Sequence, residues 1–504
     1  MTPKSFSDLG IELDWLKRWS LFAPASVALQ SGEDGRQFTY RELYARSNRI
    51  ARALRDRFDI KNGDRIAVVV QNELDYISLF FASQRLGAIL VPVNFRFKRP
   101  EVEHVCRDSG AKLIIFQKSF WSVIDGMSKK TQVWNFDGPD SVVETASTKD
   151  FIEIPFTASF EDPCMILYTS GTTGFPKGAV VSNRMIFWNS VNTGLRLNLT
   201  QNEVVLTFLP LFHTGGWNVL TTPCLHRGAK IVLLKKFDPD LVLNLTAKEK
   251  VTVLFGVPTT MDFLARSSSF AKTDLSSLRY AIVGGEPMPL PLIDIWEARG
   301  IPIRQGYGLT EFGPNVFSLN EGDSRRKAGS IGFPNFYIEA KVIDDGGIEV
   351  GPDEVGELVL KGPVAMSGYW QNEKATAETI KDGWLHTGDL VRRDQEGFFY
   401  VVGRKKEMFI SGGENVYPAE VEKVLRALPG IREAAVVGVP HQKWGECGKA
   451  FISFEDGQSL SVEEIQGHCS DNLAKFKVPM QYVIMKDLPK TDSGKIAKRL
   501  LMAQ

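Results

Sequence analysis

A short apolar run, Cys164-Met-Ile-Leu-Tyr168, leads directly into Thr169-Ser-Gly-Thr-Thr-Gly-Phe-Pro-Lys-Gly178. Nine of the eleven residues from Tyr168 to Gly178 are Gly, Thr, Ser, Lys or Pro, so the run has almost nothing with which to build a core. It offers backbone N–H groups, hydroxyls and one ammonium, the groups that hold phosphate oxygens. The apolar run before it reads as a buried strand, and a strand feeding a Gly-rich loop is a frequent frame for a nucleotide's phosphate chain. The spacing is not that of a Walker A loop, because Lys177 lies between Pro176 and Gly178 rather than after a Gly and before Ser or Thr. Taken alone, the run favours a flexible surface turn, and its meaning depends on what accompanies it.

Before and after this loop, helical and strand patterns alternate. The stretch Phe38–Leu54 has a capping-box spacing, Thr39 to Glu42, and apolar residues at helical intervals. Buried-type strands are predicted at 65–70, 87–93, 111–116, 230–234, 251–255, 280–283 and 302–305, with helices near 76–86 and 239–249. This alternation predicts parallel α/β sheets. From about Gly329 short strands with Gly/Asp turns take over (339–344, 356–361, 397–402), as in a barrel-like antiparallel β subdomain. After Gly403-Arg-Lys-Lys406 a small α+β pattern follows, with helices at 418–427 and 462–472 and strands at 433–439, 449–454 and 482–485. The expected fold class is therefore α/β: two parallel α/β subdomains and a barrel-like β subdomain in a large N-terminal domain (1–403), then a small mobile α+β domain (404–504).

Composition excludes several functions. Lys+Arg and Asp+Glu are both 60, a net charge of zero, which argues against a nucleic-acid-coating surface. No apolar run reaches the length of a membrane span, and Met1–Phe6 is not the start of a signal peptide. The basic amphipathic stretch Leu13–Leu21 could touch lipid peripherally, packing against its own domain being the favoured alternative. Five dispersed cysteines without a C-x-x-C suggest reduced thiols in a cytoplasmic setting.

Four further segments accompany the loop: Gln305-Gly-Tyr-Gly-Leu-Thr-Glu311, Leu385-His-Thr-Gly-Asp389 in an expected turn, Gly403-Arg404, and Pro489-Lys-Thr-Asp-Ser-Gly-Lys495. In this order and at these separations, from about Phe38 to Arg499, they resemble the adenylate-forming superfamily of acyl- and aryl-CoA synthetases, adenylation domains and beetle luciferases. The resemblance implies two half-reactions. A carboxylate attacks the α-phosphate of ATP to give acyl-AMP and pyrophosphate, and the thiol of CoA then displaces AMP. A carboxylate is already anionic, so the first step needs charge neutralisation and in-line placement rather than a base.

The roles below are what the resemblance implies. Thr169, Ser170, Gly171, Thr172, Thr173, Gly174 and Lys177 cradle the β- and γ-phosphates, and Thr169 with Glu311 holds Mg²⁺. Thr310 lies by the α-phosphate. Tyr307 stacks on adenine, with Gln305, Gly306 and Gly308 beside it and Gly285, Glu286 and Pro287 as the facing wall. Asp389 accepts the ribose hydroxyls and Arg404 adds a donor. Lys495 bridges the α-phosphate and the substrate carboxylate, so its acetylation would remove the cation the first step needs. Lys475, Lys477, Lys486, Lys490 and Lys498 are expected to be solvated tail lysines. Lys406 is the pivot for the second step, and Ser411, Gly412 and Gly413 meet the pantetheine arm of CoA unless they form a plain turn.

For the acid, His213 stands where amino-acid-activating relatives carry an Asp, which favours an acid without an ammonium. His213 either closes over the carboxylate or is a core histidine. Trp217 is either an aromatic gate to an acyl pocket or core. Gly284, Phe312 and Gly313 complete the expected pocket, which favours a medium- or long-chain fatty acid, with an aryl acid of the benzoate or hydroxycinnamate type as the alternative. A catalytically silent nucleotide-binding scaffold is the alternative of another class; it predicts damage at Glu311 or Lys495, and both are intact. Oligomeric state stays open, homodimer included.

Overall fold

A computed structural model describes residues 13–129, 131–169, 176–491 and 495–502. Backbone contacts divide the chain into two compact units, 1–339 with 360–385, and 340–359 with 386–504. Residues 340–359 and 386–403, which the sequence groups with the N-terminal domain, cluster with the C-terminal residues.

The first unit contains two sheets. One has six strands in the order Gln132–Asn135, Leu113–Phe116, Arg65–Val69, Ile89–Pro92, Pro163–Thr169 and Lys177–Ser182; all neighbours are parallel except the last pair. Its four-residue inner strands are buried along their length, which is why they read as unbroken apolar runs. The other sheet has nine strands, with six parallel ones from Val27–Ser31 to Ile303–Tyr307 and antiparallel edges. Helices pack over it around Trp296, Met261, Leu264 and Leu292.

Local chemistry sets several boundaries. The helix Tyr40–Phe58 opens on the reciprocal Thr39–Glu42 capping box that the sequence predicts. The helix Trp15–Phe22 packs on its own unit: Trp15 stacks on His226 with centroids 3.9 Å apart, and Trp19 Nε1 donates to the His226 carbonyl at 3.0 Å. No helix among the described residues is long and apolar enough to cross a membrane.

The second unit carries most of an antiparallel sheet built from Glu339–Ile343, Val355–Lys361, Trp384–Arg393 and Phe399–Arg404. It also carries the α+β element, in which Gly445–Phe454 pairs antiparallel with Ile431–His441 and parallel with Gln481–Ile484. Helices Pro418–Ala427 and Val462–Asn472 cover this sheet, matching the predicted bounds. The predicted α/β class, with parallel sheets, a barrel-like β part and a small α+β part, is the class observed.

Two local readings need correction. Leu385–Asp389 is not a turn; it lies in the strand Trp384–Arg393. Gly388 does take the left-handed conformation of a turn glycine (φ 69°), but cross-strand pairing continues on both sides, Leu385 with Ile380 and Asp389 with Arg404, and a register shift follows at Leu390/Val391. Lys177 and Gly178 are not loop residues either. They pair with Thr169 and Tyr168, so the Gly-rich run closes a β-hairpin.

Candidate active site

In the first unit the hairpin brings Thr169 and Lys177 opposite one another across adjacent strands. Residues 170–175, including Ser170, Gly171, Thr172, Thr173 and Gly174, lie outside the described residues. The hairpin's entrance is anchored by Tyr168, whose hydroxyl donates to Asp108 Oδ2 at 2.5 Å. Burial, and then the Asp108 carboxylate, push the Tyr168 phenol far above its ordinary range, so it stays a donor.

Glu311 sits in a short 3₁₀ turn, Thr310–Phe312, whose Phe312 is fully buried and fixes it. Thr169 Oγ1 donates to Glu311 Oε1 at 3.4 Å, which unites the two residues expected to hold the metal. The Thr169 hydroxyl and the Glu311 carboxylate thus lie side by side, close enough to share one small ion. A carboxylate and a hydroxyl are also the hard donors that Mg²⁺ prefers, so the residues fit it. A second hydroxyl reaches the same oxygen: Tyr369 Oη donates to Glu311 Oε1 at 3.0 Å. The sequence reading missed Tyr369, and a contact across 58 residues leaves no local spacing to find it by.

The expected adenine site is assembled by one amide. Gln305 is buried; its Nε2 donates to the carbonyls of Val283 (3.2 Å) and Glu286 (3.0 Å), and its Oε1 accepts from Met288 N (3.0 Å). Gln305 therefore ties the loop Gly285-Glu286-Pro287 to the strand bearing Tyr307, which is half-buried and meets Phe317 edge-on at 5.8 Å. Gly306 lies in that strand between them. Gly308 is required by a close approach: a Cβ there would stand 1.9 Å from the Pro314 carbonyl oxygen.

The expected acid pocket is only partly as read. Trp217 is fully buried, edge-on to Tyr76 (5.6 Å) and against Phe80 (5.1 Å), the setting that the core alternative expects. Gly284 and Gly215 instead flank the half-buried Phe255. A Cβ on Gly284 would stand 3.4 Å from Phe255 Cε2, and one on Gly215 3.8 Å from Cε1. Phe255 and Gly215 line a void of about 10 Å³ together with Leu209 and Leu220, room for about one water molecule. An apolar strand-end phenylalanine reads as core, and this hid Phe255. His213 precedes the turn Thr214–Asn218, its ring 4.5 Å from Phe212. Gly313 (φ 67°) turns the chain after Phe312, with Asn189 Oδ1 3.2 Å from where a Cβ would be.

In the second unit Asp389 and Arg404 are cross-strand partners, with Arg404 Nε 2.8 Å from Asp389 Oδ1. Thr387 Oγ1 accepts from the Asp389 N–H at 3.0 Å, and Lys405 N donates to the Gly388 carbonyl at 2.9 Å. Lys406 follows in an exposed turn. Ser411 is buried, and Gly412 (φ 63°) and Gly413 (φ 90°) form a two-residue hairpin turn whose first glycine lies against Trp444. Lys495 is exposed, and its carbonyl accepts from Thr491 N at 2.7 Å; residues 492–494 lie outside the described residues.

Three of the supposed tail lysines are in fact paired. Lys498 meets Glu422 Oε1 at 2.8 Å and Glu407 Oε2 at 3.0 Å, Lys477 meets Glu420 at 2.7 Å, and Lys490 meets Glu433 at 2.8 Å. Burial alone would lower the Lys498 ammonium's pKa, but Glu422 and Glu407 outweigh it and hold it above the ordinary value.

In the first unit, an acid beside the hairpin and a glycine-containing loop braced by a buried amide are features that suit a nucleotide. The family model for AMP-binding enzymes matches residues 16–370, and that for their C-terminal domain matches 420–495. The chain belongs to the AMP-binding enzyme family. It is similar to a feruloyl-CoA synthase from Amycolatopsis, 38% identical over 96% of this chain and 97% of that one. It is 34% identical to the long-chain-fatty-acid–CoA ligase FadD13 of Mycobacterium tuberculosis, over 93% of both chains. Among solved structures it resembles ATP-bound MatB from Rhodopseudomonas palustris, with a TM-score of 0.91 at 31% identity, covering 97% of this chain and 98% of that one.

Proposed function

We propose that this chain activates an apolar, ring-bearing carboxylic acid of the hydroxycinnamate type as its acyl-AMP and transfers the acyl group to CoA. The enzyme is an AMP-forming acid–thiol ligase that uses ATP, Mg²⁺ and CoA. Mg²⁺ bound by Glu311 and Thr169 would neutralise phosphate charge. The protein's own contributions follow from its geometry. Lys177 offers a cation beside the phosphates, Thr310 a hydroxyl next to Glu311, and Tyr307 a ring face for adenine. Asp389 and Arg404 serve the ribose, Lys495 the α-phosphate and the acid's carboxylate, and His213 closes over that carboxylate. Lys406 is proposed as the pivot between half-reactions, with the small domain beginning at Arg404, and the turn Ser411–Gly413 as the CoA contact.

The observation that supports a ring-bearing acid is Phe255, whose ring carbons Cε1 and Cε2 are flanked by Gly215 and Gly284. A flat aromatic wall flanked by residues without side chains suits a planar ring. The fatty-acid reading loses the gate it placed at Trp217. It keeps support from the leucine and phenylalanine side chains around the void, where the hydroxyls of Thr207 and Thr221 bond to one another at 3.2 Å. A thioester-formation screen separates the two. Hydroxycinnamates should exceed saturated medium- and long-chain acids in kcat/KM by about tenfold or more. The reverse order would hand the site to fatty acids, and no carboxylate-dependent pyrophosphate exchange with any acid would favour the silent scaffold.

A further inference from the structure

The segment Pro363–Trp370 is fastened along the hairpin and the acid turn. Met366 N donates to the Glu311 carbonyl at 2.9 Å. Val180 N donates to the Gly368 carbonyl at 3.0 Å and Trp370 N to the Gly178 carbonyl at 2.7 Å, so Tyr369 pairs antiparallel with Ala179. Arg184 holds the segment's start, bonding the carbonyls of Pro363 and Ala365. The Tyr369 backbone N–H is fixed by Thr376 Oγ1 at 2.9 Å.

Held this way, Tyr369 meets two groups of the proposed phosphate site at once. Its hydroxyl donates to Glu311 Oε1 at 3.0 Å, and its ring lies 5.4 Å from Lys177 Nζ. The Tyr369 hydroxyl makes the shorter bond to Oε1, since the Thr169 hydroxyl stands 3.4 Å from both Oε1 and the Lys177 carbonyl; Tyr369 therefore restrains the rotation of the carboxylate and leaves Oε2 outside its bond. The ring face holds the ammonium by its quadrupole.

We infer that Tyr369 is a positioning residue for magnesium–nucleotide binding: it orients the Glu311 carboxylate toward the metal and steadies Lys177 for the phosphates. This rests on the proposed nucleotide site. Tyr369→Phe deletes the hydroxyl and keeps the ring; Tyr369→Leu deletes both. The test is calorimetric titration of the full chain with ATP, once with Mg²⁺ and once with EDTA, without acid or CoA. Tyr369→Phe should raise the Kd for ATP with Mg²⁺ about tenfold and leave the Kd in EDTA unchanged. Tyr369→Leu should weaken both, the EDTA value by about threefold.

Equal weakening of Tyr369→Phe in both titrations, as a merely structural tyrosine would give, overturns the inference, and so does no weakening in either. A wild type without Mg²⁺-dependent ATP binding overturns both this inference and the nucleotide site it rests on. A wild type that binds as expected but forms no thioester overturns the ligase reading alone.

Discussion

Asp389 and Arg404 stand opposite each other on adjacent strands, their charged groups 2.8 Å apart, with the carboxylate buried and the guanidinium half exposed. In the proposed reading this carboxylate accepts the ribose hydroxyls. Asp389→Asn should raise the KM for ATP in pyrophosphate exchange by about tenfold or more. Its melting temperature should change little, because an ion pair with a half-exposed partner contributes little to stability. A large melting shift with an unchanged KM would assign the pair to folding.

Phe255 and Trp217 make opposite predictions. Phe255→Ala should widen the recess beside Gly284, lower kcat/KM for the preferred ring-bearing acid by about tenfold and raise it for bulkier acids. Trp217→Ala should instead cost about 3–5 kcal/mol in unfolding free energy by denaturant titration, as large core truncations do. Changed acid preference in Trp217→Ala at unaltered stability would restore the gate.

His226 is buried, stacked on Trp15, and shares a 2.7 Å hydrogen bond between its Nδ1 and Ser190 Oγ. Burial, reinforced by Arg227, lowers its pKa from 6.5 to about 3. Below pH 6.5 the unfolded chain takes up a proton that the folded chain refuses. The stability due to neutral His226 is therefore complete above pH 6.5 and falls by about 1.4 kcal/mol per pH unit as acid is added. His226→Gln should flatten the stability–pH curve between pH 4 and 6 (roughly that window, by linkage), and an unchanged slope would contradict this.

Lys406 follows Arg404 in the turn whose N–H groups at Glu407 and Met408 donate to the Arg404 carbonyl at 2.9 and 3.1 Å. Proline at 406 fixes φ and removes an N–H. Lys406→Pro should retain carboxylate-dependent pyrophosphate exchange within about twofold and reduce thioester formation about a hundredfold, the mark of a lost reorientation. Equal loss of both activities would defeat the pivot assignment.

The sequence made the regular elements legible wherever one physical signal dominated. The Thr39–Glu42 box marked a helix start, and unbroken apolar runs marked the doubly buried strands. The 385–389 segment was misread because Gly388 takes a turn conformation inside a strand. The loop was read too long because pairing of Lys177 and Gly178 with Thr169 and Tyr168 depends on the partner strand. Candidate residues that share one motif could be named from spacing alone. Those acting across the fold could not: Tyr369 reaches Glu311 from 58 positions away, Phe255 looks like any strand-end apolar residue, and Lys498 finds its two glutamates only after folding.

The central claim is tested most directly by product stoichiometry from the purified chain supplied with a hydroxycinnamate, ATP, Mg²⁺ and CoA. The account predicts equal amounts of AMP, pyrophosphate and aryl-CoA thioester, with acid-dependent pyrophosphate exchange abolished in Lys495→Ala. Formation of ADP and phosphate in place of AMP and pyrophosphate, or full exchange activity in Lys495→Ala, would contradict it.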